Sequence, residues 1–135
     1  MSIDKSLAKA QTLIPDCIAS GWVDMSTGLL LGIKSVDSHP GEVLDLVAAA
    51  TADLFQGRNV SAIEMKFRQS RGNPENGEHY FQEIIVFSRN LLHIFLRGKR
   101  RGTNAAVFVC RGGVNIGMAL VQSRLALSEI EEFAG

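Results

Sequence analysis

The sequence predicts a three-layer α/β (α+β) domain, a five-stranded and mainly antiparallel sheet with helices on both faces. Three observations lead there. The predicted elements run helix, two strands, helix, three strands, helix. The segments Ile84-Ile85-Val86-Phe87 and Ala105 to Val109 are apolar on both faces, so each strand needs cover above and below. The links between neighbouring strands are short, which makes those pairs antiparallel.

Each element has a local reason. Ser2 can cap a first helix whose apolar residues Ile3, Leu7, Ala10 and Ile14 recur at helical spacing, and Pro15 stops it. Cys17 to Met25 reads as a strand, Ser26-Thr27-Gly28 as a turn, and Leu29 to Ile33 as the returning strand. Gly21 and Gly32 inside these strands suggest close approach of a packed helix. Asp37 to Gly41 is a loop with strong turn chemistry, and a helix follows from Glu42 to about Phe55. Gly57 is expected to bend that helix. Asn59 can cap a continuation through Val60, Ile63 and Phe67 to about Arg71, although the alternation Ile63, Met65, Phe67 would also suit a strand. Arg71 to Gly77 is a loop.

Strands follow at Tyr80 to Ser88 and Leu91 to Leu96, joined by a turn near Arg89-Asn90. A basic loop, Gly98 to Asn104, leads to the fifth strand, Ala105 to Cys110. Arg111-Gly112-Gly113 opens into a last helix from about Asn115. Met118, Val121 and Leu125 share a face of that helix, whereas Ile130 and Phe133 point elsewhere. Ser128 and Glu131 form a capping box, so a break near Leu127 and a short terminal helix are expected. The chain then reads as one domain, 1–135, with its core at about 14–127, an extra helix and loop at about 58–79, and a capped segment at 128–135.

Composition narrows the function classes. Hydrophobic residues make up 46% and charged residues 21%, the balance of a globular chain. Lysine plus arginine number 14, as do aspartate plus glutamate, so no general attraction to nucleic acid or acidic membranes is expected. Weak self-repulsion permits self-association. The start, Met1 to Leu13, is amphipathic and charged, unlike a signal peptide, and no apolar run approaches bilayer length. A cytoplasmic protein without nucleic-acid or membrane partners is expected. The two cysteines, Cys17 and Cys110, lie in buried strands outside any CxxC or Cys/His cluster; reduced core thiols are favoured over a disulfide.

The central helix carries more apolar surface than one sheet face can absorb. Val43, Leu44, Leu46, Val47, Ala49, Ala50, Leu54 and Phe55 spread around most of its circumference, whereas a helix on a sheet needs an apolar arc of a little over ~100°. A second copy is the simplest cover, because symmetric dimers are the commonest oligomers. The predicted dimer interface is Val43, Leu46, Val47, Ala50 and Leu54. The competing reading is an unusually deep helix in a monomer.

No constellation of residues suggests catalysis. His39, His79 and His93 fit no zinc spacing, and Ser20 and Ser26 lack the nucleophile-elbow pattern. Gly112-Gly113-Val114-Asn115-Ile116-Gly117 lacks the lysine of a phosphate loop, and reads as a tight turn in which Gly117 lets the helix pack on the sheet. No catalytic residue, cofactor or metal is expected. Arg97-Gly98-Lys99-Arg100-Arg101 is the one dense basic patch. It makes Arg97, Lys99, Arg100 and Arg101 candidates for contact with an acidic or phosphorylated partner, against the plainer reading of a solvated hairpin tip.

The layout resembles the roadblock/dynein light-chain family of profilin-like α/β proteins. The resemblance runs over roughly Ile14 to Leu127. It rests on the hairpin Trp22-Val23-Asp24-Met25-Ser26-Thr27-Gly28-Leu29-Leu30-Leu31, the Ala-rich helix after it, and Asn115-Ile116-Gly117-Met118 opening the last helix. It implies a non-catalytic homodimer in which two sheets join and the central helices pair, and a regulator or scaffold for a Ras-like small GTPase or similar signalling partner. The longer stretch from Gly57 to Tyr80 and the segment after the last helix depart from the family pattern. A small-molecule-sensing profilin-like domain is the alternative. It predicts a closed apolar pocket with inward polar groups such as Ser20 or His93.

Overall fold

One antiparallel sheet organises the chain. The computed structural model describes residues 2–36, 41–71, 79 and 81–133, with the side chains of 41–46 outside that description. Along the chain run α1 (Ile3–Leu13), β1 (Cys17–Asp24), β2 (Leu29–Ser35), α2 (Gly41–Gln56), α3 (Arg58–Ser70), β3 (Glu83–Phe87), β4 (Leu91–Arg97), β5 (Asn104–Arg111) and α4 (Ile116–Phe133). The five strands lie in the order β2-β1-β5-β4-β3, every neighbouring pair antiparallel. Helices cover both faces, as the sequence predicts. The predicted loops at 37–40 and 72–77 lie outside the described residues.

Local chemistry sets the ends of the elements. Ser2 Oγ accepts the Lys5 N–H at 3.2 Å and starts α1, while Ile14 closes it by donating to Ala10 O at 2.9 Å. In the first hairpin the Asp24 carboxylate accepts from both Ser26 N–H (3.0 Å) and Ser26 Oγ–H (2.6 Å). Gly28 completes that turn at a φ of +72°. Gly57 separates α2 from α3, and only glycine fits there, because a Cβ would lie 2.5 Å from Asp53 O. The helical continuation beyond Gly57 is present, but Gly57 and not Asn59 stands at its N-cap, without a side-chain cap bond.

Period-two alternation sorts the strand residues onto two faces. Trp22, Leu92, Ile94, Leu96 and Phe108 pack beneath α1 and α4 against Leu7, Ala10, Ile14, Leu127 and Ile130. Val23, Met25, Phe95, Ala105 and Val107 face the other way, toward Ala48 and Phe55 of α2. Gly32 admits α1 as expected, since a Cβ there would lie 2.9 Å from Leu7 Cδ1. Gly21 has no such need, its nearest neighbour being an ordinary contact at 3.5 Å.

The structure corrects three further expectations. First, α4 does not break at Leu127. Ala119, Ser123, Ala126, Leu127, Ile130 and Glu131 form one buried face along an unbroken helix to Phe133. Ser128 Oγ turns back to Arg124 O, and Glu131 is engaged elsewhere, so no capping box forms. The face holding Met118, Val121 and Leu125 points to solvent. Second, Gly117 packs against no strand; it is exposed, and Asn115 starts the helix by accepting the Met118 N–H at 3.0 Å. Third, β3 lies at the sheet edge and, among the described residues, is not covered on both faces. Ile85, Val86 and Phe87 are 37%, 38% and 63% exposed.

Candidate functional site: the β3 edge, helix α2 and the basic loop

The surface with most to explain lies around β3 and α2. As the last strand of the sheet, β3 pairs with β4 through Glu83↔Leu96 to Phe87↔Leu92 and, among the described residues, has no strand on its other side. An apolar edge strand exposes unpaired N–H and C=O groups beside greasy side chains, which invites a further strand. Arg124 of α4 holds the start of this strand, donating to both carboxylate oxygens of Glu83 at 2.8 and 2.6 Å. That guanidinium keeps the Glu83 carboxyl below its ordinary pKa.

Helix α2 rests on the sheet through Ala48, Thr51 and Phe55, all fully buried. Of the predicted interface residues, Val47 and Ala50 are exposed and Leu54 is half-buried, while the side chains of Val43 and Leu46 lie outside the described residues. Open space flanks the helix on both sides. A cavity of about 490 Å³ lies beside Val47 over Gly21, Val23, Ile33, His93 and Val109. A groove of about 580 Å³ runs between Ala50, Asp53, Leu54 and Val60 on the helices and Val86, His93 and Phe95 on the sheet.

The basic loop divides into one internal and three external side chains. Arg97, expected as a surface contact, is only 3% exposed. The reason lies in the strand period, which turns it to the same face as Phe95. Its Nε donates to Phe81 O at 3.0 Å, Nη1 to Gly102 O at 2.8 Å and Gln56 Oε1 at 3.4 Å, and Nη2 to Phe55 O at 3.1 Å. The guanidinium lies 5.0 Å from the centre of the Phe55 ring. It therefore serves the carbonyl end of α2, where backbone acceptors lack helical partners. Burial lowers its pKa, and the buried Glu64 carboxylate opposes that shift.

Lys99, Arg100 and Arg101 are exposed, yet their backbone is held from below. The Glu131 carboxylate, itself 5% exposed, accepts the N–H groups of Lys99, Arg100 and Arg101 at 2.8, 2.8 and 2.9 Å. Nothing in the local spacing of Ser128 and Glu131 announces this contact, which joins segments far apart in the chain. The signal for Arg97 was available, since Phe95 and Arg97 alternate on one strand face.

The remaining described candidates each have a partner within the chain. Ser20 borders the cavity, but its hydroxyl is engaged by α1, donating to Leu7 O at 2.7 Å. His93 lines both spaces beside α2, stacks on Phe95 at 6.4 Å, and contacts Ser88 Oγ through Nε2 at 3.1 Å; burial lowers its pKa. His79 Nδ1 lies 3.2 Å from Glu64 Oε1, and His39 falls outside the described residues. Among the described residues no group of three or more His, Cys, Asp or Glu side chains is placed to hold a metal ion, and no helix is long and apolar enough to cross a membrane.

No protein-family model and no curated protein matches the sequence. Solved structures do match. A Roadblock/LC7 domain from Streptomyces avermitilis aligns with a TM-score of 0.70 at 9% identity, covering 99% of this chain and 98% of that one. The gliding protein MglB from Thermus thermophilus aligns at 0.68 and 16% identity over 96% and 86% of the two chains. MglC from Myxococcus xanthus aligns at 0.59 and 13% identity over 98% of each. At such identities the likeness is one of architecture, and it extends over nearly the whole molecule: the chain has the Roadblock/LC7 fold.

Proposed function

We propose that this protein is a non-catalytic homodimeric regulator or scaffold that binds a Ras-like small GTPase or a similar signalling partner. The observation that carries the reading is the apolar edge of β3 beside a flank of α2 that is uncovered among the described residues. Pairing β3 with β3 of a second copy would satisfy the open backbone ladder and cover Ile85, Val86 and Phe87. The second α2 would then fill the groove beside Ala50 and Leu54; Val43, Leu46 and Val47 belong to this interface on the sequence pattern. The GTPase partner is supported by the resemblance drawn from the sequence and by the shared fold. Lys99, Arg100 and Arg101 offer it a positively charged, exposed contact.

Sedimentation equilibrium tests the dimer. The wild type is expected to be dimeric at micromolar concentration, and Phe87→Lys to be a folded monomer with an unchanged far-UV spectrum. A monomeric wild type refutes the dimer. Titration against Ras-like GTPases in both nucleotide states tests the partner, and binding in neither state removes that half of the proposal. The cavity beside Val47 favours one second reading, small-ligand sensing, with His93 as its polar group. A thermal-shift screen against metabolites separates the two.

A further inference from the structure

We propose that Cys17 and Cys110 are an oxidative modification site that closes reversibly into an intramolecular disulfide joining β1 to β5. The two residues are register partners on adjacent antiparallel strands. Arg111 N–H donates to Asp16 O at 3.0 Å, which makes theirs a non-hydrogen-bonded pair. At such a pair the Cα atoms stand about 4.5 Å apart and the side chains lie close. That separation falls within the roughly 4.4–6.8 Å span a disulfide bridges. A register shift after Cys17 places both side chains in the same core cluster, beneath α1 and α4. Each thiol shifts the pKa of the other, and both cysteines are free.

The pair is asymmetric, and the asymmetry assigns the roles. Cys17 sits at the margin of the core with 8% of its surface exposed and donates to Ala19 O at 3.2 Å, while Cys110 is fully enclosed. A hydrogen bond from Cys110 lowers the Cys17 pKa, and the same contact raises that of Cys110. The thiolate is the nucleophile in thiol oxidation. With hydrogen peroxide as oxidant, the Cys17 thiolate attacks one peroxide oxygen and the O–O bond breaks. Cys17 becomes a sulfenic acid, and the departing hydroxide takes up a proton as water. Cys110 then loses its proton, its sulfur attacks the Cys17 sulfur, and the sulfenic oxygen leaves as a second water. Two thiols are oxidised and one peroxide is reduced. A dithiol reverses the step through a mixed disulfide.

The test uses the full-length protein, exposed to hydrogen peroxide and then denatured with an alkylating agent. The oxidised chain should weigh two hydrogens less than the reduced chain, resist alkylation, and yield a peptide joining Cys17 to Cys110. Dithiothreitol should restore two alkylatable thiols. Because the link closes a loop of roughly ninety residues, the oxidised form should melt about 5–10 °C higher. In Cys110→Ser, Cys17 should accumulate added oxygen; in Cys17→Ser, Cys110 should stay unmodified. Two alkylatable thiols after peroxide in the wild type, or a cross-link between chains, overturns the proposal without reference to either variant.

Discussion

Replacing Arg97 by alanine separates an internal role from a surface one. The substitution strips the carbonyls of Phe55, Phe81 and Gly102 of a charged donor at 3.1, 3.0 and 2.8 Å, and removes the cation from the Phe55 ring. Each orphaned interior carbonyl costs about 1 kcal/mol net, and the lost ring contact and side-chain stem add about 1 kcal/mol. The buried Glu64 carboxylate also loses the cation facing it. A destabilisation of about 3–4 kcal/mol is expected, a fall in Tm of roughly 10 °C. Arg97→Lys should recover less than half, because one ammonium cannot reproduce a planar fork spanning three segments. Lys99→Ala, Arg100→Ala and Arg101→Ala should each stay within about 0.5 kcal/mol of the wild type. Urea denaturation with an unchanged m-value reads all of these. If Arg97→Ala unfolds within about 0.5 kcal/mol of the wild type, the side chain is not what joins the end of α2 to β4, and the reasoning is wrong.

Two further outcomes follow from the same physics. Glu131→Ala leaves three loop N–H groups without their acceptor; a loss of about 2 kcal/mol is expected, with faster amide exchange at Lys99, Arg100 and Arg101. Unchanged exchange protection at those amides would contradict the bonding. For His93, burial lowers the folded-state pKa below the ordinary 6.5, so the unfolded chain binds the proton more readily. Stability from this group is complete above about pH 6.5 and is lost as pH falls through that value toward the folded pKa. His93→Gln should remove that part of the pH slope even with Asp53 in the same groove, as thermal melts across pH 5–7.5 can check.

Hydrophobic periodicity read most of the architecture, because alternation and helical spacing report which residues share a face. It located α1, all five strands and the break between α2 and α3 at Gly57. What it does not report is which face looks inward. In α4 the apolar set Met118, Val121 and Leu125 competes with the small set Ala119, Ser123 and Ala126, and the small residues win the buried side because the helix must sit close to the sheet. A similar ambiguity makes β3 look like a covered strand: apolar side chains on both faces satisfy a second chain as well as they satisfy a core. The candidate surface was legible only as a surplus. Its placement depends on strand order, which puts β3 at the edge, and local sequence does not encode that order.

The two buried charges give the basic loop its meaning. Arg97 reaches the loop from the α2 side through Gly102 O, and Glu131 reaches it from the α4 side through three consecutive N–H groups. The loop is thus clamped between the two helical layers. A solvated hairpin tip would have to be ordered when a partner binds, at about 0.5–1.5 kcal/mol for each immobilised long side chain and more for the backbone. Here the backbone cost has been met on folding, and only the outer reaches of Lys99, Arg100 and Arg101 remain to be fixed. Glu131 engages the loop through its main chain, so it does not occupy those three side chains. A backbone held from below that carries exposed cations would suit the proposed contact with an acidic surface, whose charge attracts at long range and whose geometry is settled last.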